Sequence, residues 1–175
     1  MKKTIVISLV CALVGFAVTA AVATQVIQRT PQELAQESAL IVDGTVTGVR
    51  SYWNADHSKI FTEATVSVGS TYKGNGGGTV RVVQPGGVVG NVRMTAHGAL
   101  SWNRGEQVLL FLEPSVPGAF QVAGFSQGKY EVERDPRTGR TFVQQTLPAD
   151  LEGTAPARAQ RVTVEQFINQ VLPQE

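Results

Sequence analysis

Two runs of two-residue alternation, separated by a short polar segment, constrain this chain more than any other feature. In the first, Leu40, Val42, Gly44, Val46 and Gly48 alternate with Asp43, Thr45 and Thr47; in the second, Ile60, Ala64, Val66 and Val68 alternate with Glu63, Thr65 and Ser67. Successive strand side chains point to opposite faces, so each run has one apolar face and one wet face. Between them lies Asn54-Ala55-Asp56-His57-Ser58, a segment rich in turn formers. The pattern predicts a long antiparallel hairpin.

The rest of the chain repeats the habit. Tyr72-Lys73-Gly74-Asn75-Gly76-Gly77-Gly78 reads as a loop, Thr79–Gln84 as a third strand, Pro85-Gly86-Gly87 as a turn, and Val88–Thr95 as a less regular strand. Gln107-Val-Leu-Leu-Phe-Leu112 is an unbroken apolar run after the turn Asn103-Arg104-Gly105-Glu106, which predicts a strand covered on both faces. Phe120–Gly124 continues the sheet, and Lys129–Arg134 pairs with Arg140–Gln145 across Asp135-Pro136-Arg137-Thr138-Gly139. Two capping boxes bracket the strands. Thr30-Pro31-Gln32-Glu33 opens a short helix, and Thr163-Val164-Glu165-Gln166 opens a last one whose Val164, Phe167, Ile168 and Val171 share a stripe that should dock on the sheet.

About seven strands with regular turn signals and a helix at each end predict a mainly β protein, a small antiparallel OB-like barrel. A β-sandwich is the alternative. Gly44, Gly48 and Gly69 favour the barrel, because glycine within a long strand permits sharp coiling.

The N-terminus predicts export. Lys2 and Lys3 precede an uncharged, mostly apolar run from Thr4 to Ala23 that ends in Ala21-Val22-Ala23, the small-x-small form of a signal peptidase site. Cleavage after Ala23 leaves a periplasmic or extracellular chain without cysteine, since Cys11 lies in the signal; an uncleaved N-terminal anchor is the alternative. Val10 before Cys11 argues against a lipoprotein site. The expected organisation is a signal peptide at 1–23, a barrel domain with its N-terminal helix at 24–147, a Pro/Ala/Gly-rich linker at 148–160 and a docked helix at 161–175. The whole chain of 175 residues has 15 Lys+Arg against 14 Asp+Glu, with charged residues at only 17%. A near-neutral chain without a basic stripe is a poor match for nucleic acid, so no nucleic-acid partner is expected.

The motifs that suggest chemistry fail on context. Gly124-Phe125-Ser126-Gln127-Gly128 has the G-x-S-x-G form of a nucleophile elbow, but a strand-like segment follows where the elbow needs a helix, and both His57 and His97 precede the serine. Two isolated histidines and no mature cysteine predict neither a metal site nor a cofactor. The Gly74–Gly78 and Gly86–Gly90 loops lead into strands rather than helix N-termini, so they are not phosphate loops. Trp53, Tyr72 and Trp102 stand at strand ends or in loops, where an aromatic either plugs a barrel or forms a ligand platform. The candidate contact surface is therefore Trp53, Asn54 and His57 in the first turn, Tyr72 and Lys73 at the Gly-rich loop, and Trp102 and Arg104 before the apolar run.

Ala39-Leu-Ile-Val-Asp-Gly-Thr-Val-Thr-Gly-Val-Arg50, Ile60-Phe-Thr-Glu-Ala-Thr-Val-Ser-Val68 and Thr71-Tyr-Lys-Gly74 resemble the opening of netrin-like OB domains, the class that includes the tissue inhibitors of metalloproteinases. The whole mature chain, with Asn103-Arg-Gly-Glu-Gln-Val-Leu-Leu-Phe-Leu112 and Phe125-Ser-Gln-Gly-Lys-Tyr130, is similar to a family of uncharacterised exported bacterial proteins. The resemblance implies the barrel. It does not carry the inhibitory mechanism across, because the N-terminal zinc-binding cysteine and the disulfides of those inhibitors have no counterpart here. The expected function is an exported, non-catalytic module that binds a secreted or envelope protein, such as a protease, through loops on the barrel rim. The alternatives are a hydrolase using Ser126 and a structural envelope protein.

Overall fold

The computed structural model describes residues 28–145 and 162–172. The expected signal peptide with Cys11, and the linker at 148–160, lie outside the described residues.

Helix α1 (Pro31–Glu37) starts where its capping box predicts: the Glu33 amide donates to Thr30 Oγ1 and the Thr30 amide to Glu33 Oε2. Ten strands follow: β1 (Leu40–Trp53), β2 (Ile60–Lys73), β3 (Thr79–Pro85), β4 (Gly87–Val89), β5 (Val92–Met94), β6 (Gln107–Pro114), β7 (Phe120–Val122), β8 (Lys129–Arg134), β9 (Thr141–Gln145) and β10 (Val162–Thr163), before helix α2 (Val164–Val171). Among the described residues the count exceeds the expected seven or so in part because Val88–Thr95 splits into the separate β4–β5 hairpin and a two-residue strand precedes α2.

The eight-stranded sheet runs β1-β2-β3-β7-β6-β8-β9-β10, and a further β1–β6 pairing closes β1, β2, β3, β7 and β6 into a ring. Closure turns on one parallel bridge, Val82 to Phe120, between β3 and β7. This partly closed ring is the OB-like barrel expected, and it excludes the sandwich. Strand β6 shows how an unbroken apolar run serves two cores at once. Val108, Leu110 and Leu112 point into the barrel with Val42, Val46, Ala64, Val66 and Val82. Leu109 and Phe111 point outward, under Leu34 of α1 and Ile168 and Val171 of α2. The stripe on α2 therefore covers an outer hydrophobic layer that includes Tyr130 and Phe167.

Strands β1 and β2 pair along their whole length, from Ile41 opposite Lys73 to Trp53 opposite Ile60, with register shifts between Asp43 and Gly44 and between Val46 and Gly48. These irregularities bend the hairpin around the barrel. Gly44 is required at its bend, since a Cβ there would lie 2.3 Å from the Ser67 carbonyl oxygen. The expectation of a loop from Tyr72 onward is corrected: β2 continues through Lys73. Two tertiary contacts extend it, the Tyr72 hydroxyl donating to Asp43 Oδ2 at 2.5 Å and Lys73 Nζ donating to the Ala35 and Gln36 carbonyls at the end of α1.

Candidate functional site

The sequence-predicted contact residues do not form one rim. Trp53, Asn54 and His57 sit at the β1–β2 turn. There the Asn54 side chain accepts from the Ser58 and Lys59 amides, and the His57 ring stacks on Trp53 with centroids 6.0 Å apart and planes 6° from parallel. His57 adopts a positive φ of 55° in this turn. Asp56 is held below the usual carboxylate range by hydrogen bonds from the Ser58 hydroxyl and amide. Tyr72 and Lys73 occupy the opposite end of the hairpin, where their contacts brace α1 and β1. Partial burial, with the Asp43 hydrogen bond and charge behind it, pushes the Tyr72 phenol up to about 12.

Trp102 belongs to the barrel core, the plug that its position also allowed, and it lines the barrel mouth. Lys129 Nζ lies 4.8 Å from the centre of its ring, 2.5 Å from Glu106 Oε1 and 2.7 Å from the Ser101 carbonyl oxygen. Glu106 Oε2 accepts from the Asn103 amide. The charge pair thus clamps the chain on both sides of the indole. Arg104 donates from Nε to the Thr47 carbonyl oxygen, so it fastens the 103–106 turn to β1.

What the fold builds is a groove at the barrel mouth. The inward face of the hairpin continues past the core: Val49 is opposite Ala64, and Ser51 is opposite Thr62. Over this extension stand the β4–β5 hairpin and the 95–103 segment, enclosing about 460 Å³. The Gln84 side chain ties that segment down by donating to the Leu100 carbonyl and accepting from the Leu100 amide. Thr62 donates to the Gly86 carbonyl, and Ser51 Oγ lies 2.9 Å from Thr62 Oγ1. Gly87, at φ 139°, lets the hairpin come this close, since a Cβ there would fall 2.4 Å from Thr62 Oγ1.

The exposed walls of the groove are mixed, with aliphatic Val49 and Val88 beside polar Thr95, Ser101 and Asn103. Val49 and Val88 are 40% and 45% exposed, against complete burial for Val42 and Val46 on the same hairpin. Arg93, opposite Val88 on the β4–β5 hairpin, is the one charged side chain among the described residues that line it. That guanidinium is exposed and has no hydrogen-bond or ion-pair partner among the described residues. Sequence reasoning missed these residues. The available signal was Gly86-Gly87 and Gly90 around a run with apolar residues on both sides of an arginine, which reads equally well as a plain strand.

A second, smaller hollow of about 270 Å³ lies between the barrel and the β8–β9–α2 layer, lined in part by Asp43, Gly44, Gly69 and Val164. Its carboxylate is already engaged by the Ser70 amide and the Tyr72 hydroxyl.

Ser126 lies in the tight turn between β7 and β8. That turn is stitched to β6 by Ala123 and Gly128, which bond the Phe111 carbonyl and amide. Ser126 is completely buried, and its Oγ has no hydrogen-bond partner, histidine and carboxylate included, among the described residues. Among the described residues there is also no group of three or more His, Cys, Asp or Glu placed to hold a metal, and no helix long and apolar enough to cross a membrane.

No protein-family model matches this chain, and comparison with curated proteins finds no match either.

Proposed function

We propose that this chain is an exported, non-catalytic binding module that captures a secreted or envelope protein at the barrel mouth. The observation that carries the reading is the open groove between the β1–β2 extension and the β4–β5 hairpin, with Val49 and Val88 left exposed on its walls. Concave, mostly apolar sites with a few polar groups are where binding energy concentrates, and the mouths of barrels are a frequent location. The burial of Ser126 supports a non-catalytic role, and the Lys2-Lys3 start with its apolar run to Ala23 supports export. A protease remains one partner class to which the reading applies.

The test is affinity capture by the 24–175 domain from the producing organism's secreted and envelope fractions, run beside Val88→Asp. The expected result is one protein retained by the native domain and lost by the variant, whose melting temperature stays unchanged. Equal retention by both, or no retention, would overturn the mouth as the binding site. N-terminal sequencing of the exported protein should begin at Thr24.

A further inference from the structure

The groove is amphipathic in a particular way. Aliphatic Val49 and Val88 stand exposed among polar neighbours on its walls, and Arg93 is the one cation among the described residues that line it. Of the other arginines among the described residues, Arg29 faces Glu37, Arg50 and Arg81 face Glu63, and Arg104 reaches the Thr47 carbonyl, while Arg134, Arg137 and Arg140 belong to the β8–β9 hairpin and do not line the groove. Arg93 differs from these. It lines a concave surface, pairs across the β4–β5 hairpin with the exposed Val88, and has no partner among the described residues. A guanidinium presents a planar fork of donors that matches a carboxylate in two-point geometry, and its pairing is stronger beside apolar surface than in open water.

From this complementarity we propose that the occupant of the groove is an acidic peptide segment of the partner protein. An aliphatic side chain seats between Val49 and Val88, and a neighbouring carboxylate engages Arg93. This inference rests on the mouth being the binding site and adds the chemistry of what binds there. The hydroxyl of Ser51 assists. Because Thr62 Oγ1 gives its proton to the Gly86 carbonyl, Ser51 is the donor in the Ser51–Thr62 contact and keeps its lone pairs for a peptide amide. The same wall thus offers an acceptor for peptide backbone and a cation for the acidic side chain. Specificity arises because a neutral segment leaves Arg93 unpaired, whereas an acidic segment that misses the aliphatic wall leaves Val49 and Val88 wet.

The experiment is selection from a random heptapeptide display library on the 24–175 domain, followed by titration of the selected peptides, synthesised with a fluorophore, against native protein, Arg93→Gln and Val88→Asp. Sodium decanoate is titrated in parallel as a non-peptide carboxylate. The expected result is enrichment of sequences with Asp or Glu next to Val, Ile or Leu. Binding should weaken about tenfold to a hundredfold in Arg93→Gln, the worth of one charge-assisted contact. The same loss should appear when the peptide acid is replaced by its amide, and it should shrink in high salt. The Arg93 guanidinium has no hydrogen-bond or ion-pair partner among the described residues, so the variant should melt with the native protein.

Peptides that Val88→Asp rejects but Arg93→Gln binds equally well, with no acidic preference, would overturn the acidic occupant and leave the mouth as the binding site. Selected peptides that Val88→Asp binds as well as native protein does would overturn both. Decanoate binding in the absence of any selected peptide would overturn the peptide in favour of a small amphipathic carboxylate.

Discussion

Lys129 Nζ and Glu106 Oε1 are 2.5 Å apart with their side chains only 3% and 11% exposed, and the ammonium lies against the face of Trp102. A charge this deep is tolerable only while its counter-charge and hydrogen bonds are in place. The pair also sets the floor of the mouth, since it holds Ser101 and Asn103 on either side of the indole.

Breaking the pair from one side should therefore cost more than removing it. Glu106→Gln, which strands the ammonium, should destabilise the domain by about 3–5 kcal/mol, and Lys129→Met should destabilise it comparably. The double variant should recover most of the loss. Urea melts of the two single variants and the double, read as a mutant cycle, check this, and additive losses would disprove the coupling.

The strand β6 alternation predicts two separate cores of comparable weight. Leu110→Ala opens the barrel interior, and Phe111→Ala opens the outer layer beneath α2, where its ring meets Tyr130 and Phe167 at centroid distances of 5.5 and 6.2 Å. Losses of about 2–5 and about 3–5 kcal/mol are expected from thermal or denaturant unfolding. Hydrogen exchange should show α2 protection falling first in Phe111→Ala.

Two glycines of one strand should behave oppositely. Gly44→Ala drives a Cβ onto the Ser67 carbonyl at 2.3 Å, and overpacking against backbone should cost about 3 kcal/mol or more. Gly48→Ala meets nothing nearer than Thr65 at 3.7 Å and should change stability by less than about 1 kcal/mol. Melting temperatures, moving about 3 °C per kcal/mol, separate the two.

The tryptophans should separate in the same way. Trp102→Ala removes a core side chain and should cost about 3–5 kcal/mol. Trp53→Ala loses the stack on His57 at a half-buried turn and should cost about 1 kcal/mol. Equal losses in denaturant unfolding would contradict this division between core and turn.

Tyr72 gives an alkaline signature. Its phenol has a folded-state pKa of about 12, above the ordinary value of 10.0, because burial and Asp43 disfavour the phenolate. The unfolded chain therefore releases this proton first. Stability from the group is complete below pH 10 and is lost as pH rises from about 10 to about 12. Burial raises the Tyr130 phenol as well, so the informative quantity is the difference between native protein and Tyr72→Phe. The variant should lose stability less steeply across that window. Parallel slopes would remove Tyr72 as the source.

Much of this architecture is legible along the chain. Both capping boxes, the β1–β2 hairpin, the doubly covered β6 and the β8–β9 hairpin follow from periods of two or from side chains reaching three residues along the backbone. These are local properties. The proposed export signal is of the same kind, an expectation from charge and apolar length alone.

The candidate site was much less legible. Trp53, Tyr72 and Trp102 look alike in sequence, each an aromatic near turn residues, yet one caps a turn, one is tied to β1 through Asp43 and one fills the barrel. Arg93 and Val88 carry no mark that separates them from a plain edge strand. Periodicity determined which residues form strands and which face each strand buries. Tertiary structure decided where the strands stop and what the mouth exposes, because both depend on contacts between distant segments: Val82 with Phe120 to close the ring, Gln84 with Leu100 to fold the loop over, and Gly87 against Thr62 to seat the hairpin.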